Sequence, residues 1–267
     1  HPVVQWVAMI FGSAALQNSI LKWCSDHSRH HRKLDTIEDP YSITKGFFHA
    51  HIGWVLSSIP AQINDVKDLQ KNPIVNFQHK YYWIISISMA FILPFLIGLF
   101  YGRPIGGLLW GGFLRVALVH QFTFFINSLC HFIGKQPYEM STTARDSWIL
   151  SFFTFGEGYH NFHHKFQWDY RNGVRWFDFD PGKWAIKLLS YFRLTKDIRM
   201  VKDYQILQAR LNGLKEKLIG YYPKLPEQIK QNYSENVQNL QQNAQKIFDS
   251  WRMLEKEYIQ LKQNKIK

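Results

Sequence analysis

The sequence has very few cysteines. Cys24 and Cys130 are the only two among 267 residues, which excludes a disulfide framework and indicates a reducing compartment for the face that bears them. A secretory signal peptide is not visible either, because the start, HPVVQWVAMIFG, has no basic stretch and no initiator Met. The sequence reads as one that begins partway through a longer protein.

Acidic residues are scarce relative to basic ones. The sequence contains 20 Asp and Glu against 32 Lys and Arg, a formal net charge of +12. Nucleic-acid binding is excluded as the reason, because it needs a basic stripe with aromatics free to stack, whereas the aromatics here fall inside apolar runs. Basic residues that flank apolar runs are typical of a membrane protein whose cytoplasmic face lies on anionic lipid headgroups.

Two apolar segments predict a membrane hairpin. Residues 81–101 are uncharged, and at ~1.5 Å per residue they extend roughly 32 Å, enough to cross a hydrocarbon core of about 30 Å. Pro94 is expected to kink this helix. Residues 105–126 form the second predicted span, and the short turn Gly102-Arg103-Pro104 makes the two spans antiparallel.

Two further features belong to this membrane region. Arg115 and His120 lie within the second span, and ionisable groups at such depth normally face a bundle interior or a cavity. Residues 3–21 are uncharged but interrupted by polar side chains such as Gln5 and Gln17. For them we predict one helix that lies at the interface or under a catalytic domain, not a third span.

Seven histidines in three short motifs carry the functional signal. The motifs are Asp26-His27-Ser28-Arg29-His30-His31, Asn127-Ser128-Leu129-Cys130-His131 and Gly156-Glu157-Gly158-Tyr159-His160-Asn161-Phe162-His163-His164. Because the antiparallel spans begin and end on the same side, all three motifs share one membrane face. A single metal site requires this arrangement.

The spacing of the histidines suits a metal centre with two ions. On a helix, His27 and His31 share a face at i and i+4, while His30 points to a neighbouring position, so one HxxHH turn can serve two metals. His160, His163 and His164 repeat the pattern. A structural zinc takes four ligands and is closed, so this many imidazoles favour iron with positions open for oxygen. The interpretation is oxygen chemistry on a lipid.

Other side chains have supporting roles in this interpretation. Four carboxylates are close enough in sequence to orient the imidazoles: Asp26, Asp35, Asp39 and Glu157. His49 and His51 fall outside the box spacing, so we expect them to support or pack around the site. His120 is expected to line a cavity or to pack.

The C-terminal residues, 203–267, differ in composition and carry two series of apolar residues spaced by three and four. The series are Leu207, Leu211, Leu214, Leu218 and Tyr221, and then Val237, Leu240, Ala244, Ile247, Trp251, Leu254, Tyr258 and Leu261. They predict a helical hairpin or coiled-coil arm, broken at residues 222–226. The arm would pair with a second copy or another protein, or dock onto its own domain.

The chain resembles the membrane fatty acyl desaturases of the stearoyl-CoA Δ9 type. The sequence of its third histidine motif is most similar to that of bacterial members. The resemblance covers residues 3–202 and rests on NSILKWCSDHSRHHRKLDTIEDPYS, GFFHAHIGW, INSLCHFIGKQPY and FGEGYHNFHHKFQWDYRNGVRW. It implies an all-α integral membrane protein, with a membrane hairpin and a cytosolic helical cap that carries the histidine boxes in residues 1–202. Residues 203–267 would be a helical extension.

The resemblance also implies a ligand set. Family members hold two irons with nine histidines, and an asparagine holds a metal-bound water, the position of Asn127 here. The matching histidines are His27, His30, His31, His131, His160, His163 and His164. The other two family ligands come from an HxxxxH box upstream, which this sequence lacks. We therefore expect this stretch of chain by itself to be inactive.

By the same resemblance, the reaction uses O2 to introduce a cis double bond into a saturated acyl chain held in a kinked tunnel. Asn18, Trp23 and Thr123 match family positions that line the headgroup or kink region, and Phe124 stands where animal members have Trp. No haem-binding motif occurs in the C-terminal residues. The implied electron donor is a separate carrier: ferredoxin, rubredoxin or cytochrome b5, with an NAD(P)H reductase.

One departure from the family concerns the acyl carrier. Animal members have basic residues that hold the CoA phosphates just after the GW of GFFHAHIGW, where this chain has Val55-Leu56-Ser57-Ser58-Ile59. Acyl-CoA is the expected substrate, and acyl-lipid or acyl-carrier-protein substrates stay open. The expected location is the bacterial inner membrane or the endoplasmic reticulum, with the boxes on the cytoplasmic side.

Three rival functions remain beside the desaturase. A membrane hydroxylase or alkane monooxygenase would use the same histidine boxes. A non-enzymatic membrane scaffold would act through residues 203–267. A metal transporter fits poorly, because the boxes lie beside the spans and not within them.

Overall fold

The computed structural model describes residues 1–57, 62–221, 223 and 227–264, and within these residues all regular structure is helical. Two isolated bridges, Lys135–Asp146 and Asp146–Tyr159, are the only sheet-like pairings in this part of the chain. The all-α prediction is therefore confirmed. Residues 58–61 lie outside the described residues, and with them Ser58 and Ile59 of the stretch after Trp54.

The helices follow one another closely along the chain. The α-helices are α1 (Pro2–Ser13), α2 (Ile20–Lys33), α3 (Trp54–Ser57), α4 (Lys67–Gln70), α5 (Pro73–Lys80), α6 (Tyr82–Ile87), α7 (Leu93–Phe100), α8 (Pro104–Gly106), α9 (Arg115–Asn127), α10 (Trp148–Phe153), α11 (His160–Lys165), α12 (Pro181–Tyr191), α13 (Asp203–Tyr221) and α14 (Glu227–Asn264). Short 3₁₀ turns span Ile43–Lys45 and Leu129–His131, and π-helical turns span His49–Gly53, Ser88–Ile92 and Gly107–Leu114. The chain divides into two compact units, residues 1–135 with 142–199 and residues 136–141 with 200–267.

Two long apolar helices in the first unit form the membrane hairpin. They run from Tyr82 to Phe100 and from Pro104 to His131, with mean hydropathies of 2.3 and 1.3. In an 18-residue apolar window of each helix, only 17% and 11% of the residues are buried by protein, so these helices do not form the core of a water-soluble fold. The second helix continues to His131, beyond the predicted end at residue 126. In the first, the π-helical turn Ser88–Ile92 directly precedes Pro94, which has no N–H to donate.

Glycines allow the two spans to approach closely. A Cβ on Gly107 would lie 2.3 Å from the Pro94 carbonyl oxygen and 2.8 Å from the Gly98 Cα. One turn later, a Cβ on Gly111 would lie 2.9 Å from the Pro94 Cβ. Small residues four apart let membrane helices pack backbone to backbone. The turn at Gly102 has a φ of +69°, which glycine adopts without strain.

The segment predicted as one helix over residues 3–21 is broken. Helix α1 ends at Ser13, and Leu16 and Asn18 have φ values of 56° and 73°, which no helix accommodates. The side chains of the second span satisfy the freed carbonyls: Arg115 donates to the Ala14 oxygen at 3.1 Å, and the His120 Nε2 lies 2.8 Å from the Ala15 oxygen. Arg115 thus faces protein at membrane depth, as predicted.

Helix α2, which carries the first histidine box, begins where this break ends. The Ser19 hydroxyl accepts from the Lys22 N–H at 3.4 Å and caps the helix. The Gln78 side chain accepts from the Ile20 N–H at 3.0 Å, and the Ser19 hydroxyl lies 2.7 Å from His79 Nδ1. These contacts tie the start of α2 to the entrance of the first span, so the box has a fixed height above the membrane.

The second unit contains α13 and α14, which confirms a helical C-terminal extension. Tyr204 near the start of α13 packs against Trp251 of α14, with ring centroids 6.0 Å apart. Most described members of the predicted apolar seam are exposed, so within one chain the seam is not covered. The buried residues are Ile206, Ala209, Gly213 and Phe248 instead. On α13 the buried residues include the small residues Ala209 and Gly213, and this part of the helix is called the small face. It approaches the segment 136–141 closely, since a Cβ on Gly213 would lie 3.0 Å from the Pro137 oxygen. Most of the predicted break, residues 222 and 224–226, lies outside the described residues.

Candidate metal centre

Each HxxHH box contributes to two groups of imidazoles. In α2, His27 and His31 lie one turn apart on one face, and His30 belongs to the neighbouring group. In α11 the pattern is reversed: His160 and His164 share a face, and His163 points to the group of His27. The two boxes therefore interlock.

The result is two adjoining histidine clusters. The three-histidine cluster comprises His27, His31 and His163, and the buried four-histidine cluster comprises His30, His131, His160 and His164. Within each, the possible ligand atoms all lie within 4.8 Å of one another. The clusters touch, since the His31 and His164 rings have centroids 4.4 Å apart. The structure thus brings all seven predicted histidines together.

The distances between the ring nitrogens suit ligands of a metal ion. His31 Nε2 lies 3.0 Å from the Nε2 atoms of both His27 and His163. In the other cluster, His160 Nε2 lies 3.0 Å from the Nε2 atoms of both His131 and His164. Two nitrogens bound at right angles to one ion at ~2.1 Å would be separated by about 3.0 Å.

One buried imidazole nitrogen that could bind a metal also lacks a hydrogen-bond partner among the described residues. His30 Nε2 has no hydrogen-bond partner within the described part of the chain, although it faces the other imidazoles. A buried nitrogen of this kind is costly unless a ligand satisfies it. Together with a donor set made entirely of imidazole, which suits iron better than a hard cation, these observations fit two metal ions.

Burial lowers the pKa of five of these imidazoles and so favours their neutral form, the form that binds metals. Burial and neighbouring imidazoles lower the pKa of His27 to about 3 and that of His31 to about 2. Burial is also the main cause that lowers the pKa values of His160, His163 and His164. A neutral ring has one nitrogen lone pair free, so proton competition for these ligands is weak near neutral pH.

Asp39 contacts one histidine of the four-histidine cluster directly. Its Oδ1 lies 2.9 Å from His30 Nδ1, and both side chains are buried. Because a carboxylate only accepts hydrogen bonds, His30 carries its proton on Nδ1 and leaves Nε2 free toward the cluster. The backbone N–H of Tyr41 also donates to Asp39 Oδ1 at 3.0 Å, which fixes the carboxylate.

Asp35 and Glu157 reach the clusters through other residues. Asp35 accepts from the Thr143 hydroxyl, which in turn lies 2.8 Å from His131 Nδ1. Glu157 accepts from the Asn172 amide at 2.8 Å, and Asn172 hydrogen-bonds to His163. Thr143 and Asn172 were not identified from the sequence, because nothing in their local pattern indicates proximity to a histidine.

The fourth predicted carboxylate, Asp26, and the predicted holder of a water, Asn127, are placed differently. The Asp26 carboxylate pairs with Lys22, one turn earlier on α2, and with Arg29 at 3.8 Å, so its described contacts are to cations and not to an imidazole. Asn127 is the last residue of α9, half-buried and one turn before His131. Its role as the holder of a water stays a prediction.

The predicted substrate residues lie near the three-histidine cluster and the break after α1. Trp23 stacks on the His27 ring, with centroids 4.7 Å apart. The Thr123 hydroxyl accepts from the Gln17 amide at 2.6 Å. The Asn18 N–H donates to the Tyr82 hydroxyl at 2.9 Å. Phe124, which follows Thr123 near the C-terminal end of α9, is buried.

The remaining histidines of this region have protein partners, as predicted. His51 has a partner at each ring nitrogen, the Ser128 hydroxyl and the Gln121 side-chain oxygen, both at 3.0 Å. His49 Nε2 lies 3.2 Å from the Pro40 oxygen. Neither is a member of the two clusters.

Comparison with known proteins agrees with this site. The sequence model described as "Fatty acid desaturase" matches residues 1–193. Over 213 residues the chain is 40% identical to acyl-CoA desaturase 1 of Saccharomyces cerevisiae, covering 78% of this chain and 42% of that protein. Over 212 residues it is 44% identical to the probable acyl-CoA desaturase of Schizosaccharomyces pombe, covering 78% and 44%.

A third relative is named for a different substrate. The sn-1 stearoyl-lipid 9-desaturase of Synechocystis is 36% identical over 204 residues, which cover 74% of this chain and 62% of the relative. The chain thus spans about half the length of the curated relatives it matches. The family match covers most of the chain and includes every histidine of both clusters. The chain belongs to the fatty acid desaturase family.

Proposed function

We propose that the protein is an O2-dependent fatty acyl desaturase that introduces a cis double bond, at Δ9, into a saturated acyl-CoA at a histidine-ligated diiron centre. The observation that carries this proposal is the pair of adjoining imidazole clusters beside a membrane hairpin. The family membership supports the reaction class.

The two clusters assign the residues that would hold the metals. His27, His31 and His163 would hold one ion, and Asn127 a water near the site. His30, His131, His160 and His164 would hold the other. When bound, iron would supply the redox chemistry by which O2 is reduced to two waters, with two hydrogen atoms from the acyl chain, two electrons from an external carrier and two protons from solvent. Ferredoxin, rubredoxin and cytochrome b5 are the carriers to test.

The protein's own part in the reaction is to position the acyl chain. In this proposal Asn18, Trp23, Thr123 and Phe124 line the path of the acyl chain: Trp23 stacks on His27, and Thr123 accepts from Gln17 in the break after α1. Trp23 packs directly on a proposed ligand, so a methylene held against it would be close to the metals. Holding two adjacent carbons of the acyl chain there, away from water, fixes the orientation of the C–H bonds to be broken and so lowers the barrier to their cleavage.

The acyl carrier is proposed to be CoA. The two yeast relatives bear acyl-CoA desaturase in their names, and both are more similar to this chain than the stearoyl-lipid enzyme of Synechocystis. The described stretch Val55-Leu56-Ser57 after Trp54 has no basic residue, so the CoA phosphates would need other cations. Two relatives are named acyl-CoA Delta(11) desaturase, so the named bond position differs among similar chains.

The membrane side and the role of the second unit are parts of the same proposal. We place the histidine clusters on the cytoplasmic side of the bacterial inner membrane or the endoplasmic reticulum, where CoA esters and reduced carriers occur. Residues 203–267 would mediate self-association or bind a protein partner, since Leu240, Ile247 and Leu254 are exposed apolar residues on α14. Deletion of these residues should change the oligomeric state and leave turnover intact.

The experiment is expression of the complete reading frame in a yeast strain that requires unsaturated fatty acids. Mass spectrometry of total acyl chains should show a product lighter by two hydrogens, with the double bond at Δ9. His160→Ala should abolish the product, and His49→Gln, outside both clusters, should retain it. A product heavier by one oxygen would identify a hydroxylase instead. No acyl product at wild-type expression would contradict the proposal.

The acyl carrier needs a separate assay. Purified protein with a reduced carrier is offered stearoyl-CoA, stearoyl-acyl-carrier protein or stearoyl phospholipid in matched amounts. Turnover of stearoyl-CoA is expected. Turnover of only the phospholipid or the carrier protein would overturn the CoA assignment while leaving desaturation in place.

A further inference from the structure

The chain folds back after the second span and brings Thr143 beside a histidine of the buried cluster. Lys135 and Asp146 exchange two backbone hydrogen bonds, of 2.9 and 2.7 Å, and the Arg145 N–H donates to the Cys130 oxygen at 2.8 Å. This pairing places Thr143, twelve residues after His131, against the ring of His131.

Thr143 makes three hydrogen bonds that join two loops and a ring. Its hydroxyl oxygen lies 2.8 Å from His131 Nδ1 and 2.5 Å from Asp35 Oδ1. Its backbone N–H donates to Asp35 Oδ2 at 2.8 Å. Asp35 directly follows the end of α2 and has a φ of 62°, a left-handed conformation that Asp adopts more readily than most residues with a side chain.

The direction of these bonds follows from the chemistry of the three groups. A carboxylate only accepts, so the hydroxyl proton of Thr143 is given to Asp35. The hydroxyl oxygen is then left to accept, and the proton on its other side must come from His131 Nδ1. Of the two ring nitrogens, Nε2 is therefore the one with a free lone pair, and it faces His160 Nε2 at 3.0 Å.

We propose that Thr143 is a positioning residue that joins Asp35 to His131 and fixes which ring nitrogen of His131 faces the four-histidine cluster. This inference rests on the proposed metal centre. It makes Asp35 act on the cluster through an intermediate hydroxyl, whereas Asp39 contacts His30 directly. Both ligands then receive their orientation from the one loop that follows α2.

A purely structural role for Thr143 would rest on its backbone and not on its hydroxyl. The N–H bond to Asp35 ties the two loops together, and it survives replacement of the side chain by valine, which has nearly the same shape. Thr143→Val therefore removes the bond to His131 and keeps the tie between loops. Thr143→Ser restores the hydroxyl.

The test is a titration of the metal-free, full-length protein with Co²⁺, followed by visible absorption. Loss of a group that orients a metal ligand typically weakens binding by about 10–100-fold, and we expect this for Thr143→Val. Thr143→Ser should bind nearly as wild type. Thr36→Val is the matched control, because Thr36 adjoins Asp35 and its exposed hydroxyl donates only to the Lys33 oxygen among the described groups. Thermal midpoints of the metal-free variants should agree with wild type.

The variant Asp35→Asn provides a second, independent test of the proposal. If both residues act through one relay, Asp35→Asn with Thr143→Val should bind no more weakly than Thr143→Val alone. Independent, additive losses would overturn the relay, as would wild-type affinity in Thr143→Val. Should Thr143→Val fail to fold, undiminished affinity in Asp35→Asn overturns it. If the wild-type protein binds no Co²⁺ at all, the proposed metal centre falls, and this inference with it.

Discussion

Replacement of Gly107 by alanine should weaken the membrane hairpin measurably. The new Cβ would lie 2.3 Å from the Pro94 oxygen and 2.8 Å from the Gly98 Cα. Carbon atoms in contact normally lie about 3.5–4.0 Å apart, so the two spans would have to separate locally by about 1 Å. Both close atoms belong to backbone, which cannot rotate away. Overpacking of this kind costs about 1–3 kcal/mol.

A neighbouring glycine provides the matched control. A Cβ on Gly106 would meet only the Arg103 Cβ, at 3.7 Å, and Gly106 has an ordinary helical φ of −59°. Gly106→Ala should therefore stabilise the protein by about 0.4–1 kcal/mol, because the unfolded chain loses freedom. Gly111→Ala, with its closest approach of 2.9 Å to the Pro94 side chain, should fall between the two.

The assay is unfolding of the purified protein in mixed micelles with increasing dodecyl sulfate, followed by helical circular dichroism. The expected order of stability is Gly106→Ala, then Gly111→Ala, then Gly107→Ala. Equal stability of the Gly106 and Gly107 variants would refute the close backbone packing of the two spans.

Three other outcomes are expected. Asp39→Asn should weaken Co²⁺ binding by about 10–100-fold, whereas Asp26→Ala, whose carboxylate pairs with cations on α2, should leave binding unchanged. Arg115→Met should lower the free energy of unfolding by about 1–3 kcal/mol, because the Ala14 oxygen loses a donor at membrane depth, and Arg103→Met in the exposed turn should not. Saturation with metal at a thousandfold excess over Kd should raise the free energy of unfolding by about 4 kcal/mol, measured as a shift of the thermal midpoint that a chelator reverses.

The histidine clusters could be predicted because helical periodicity alone groups their members. Residues four apart in a helix share a face, and the first box accordingly contributes His27 and His31 to one cluster and His30 to the other. The same rule assigns His160 and His164 together. The hairpin was predictable for a similar reason, since hydropathy and a short turn are local properties.

The groups around the clusters could not be predicted, because their positions depend on loops. Four carboxylates lie near the boxes in sequence, yet Asp39 reaches an imidazole, whereas Asp26, which adjoins His27, pairs with Lys22. Thr143 lies 108 residues from its partner Asp35, and no periodic pattern connects them. Sequence proximity identifies candidates for these roles, but loop geometry decides among them.

The apolar seam of the C-terminal helices shows a different limit. Spacing by three and four identified two helices correctly, but it favoured the large residues and missed the small face of α13. Gly213 is buried there because the backbone of Pro137 approaches it closely, and Ala209 is buried one turn earlier. Hydrophobic periodicity does not detect a contact made by small side chains.

The most direct test of the central claim is the metal content of the purified protein from its complete reading frame, together with two single variants. About two irons per chain are expected in the wild type. His31→Ala, in the three-histidine cluster, and His164→Ala, in the four-histidine cluster, should each lower the content toward one iron. Zinc in place of iron, or no metal in the wild type, would contradict the account.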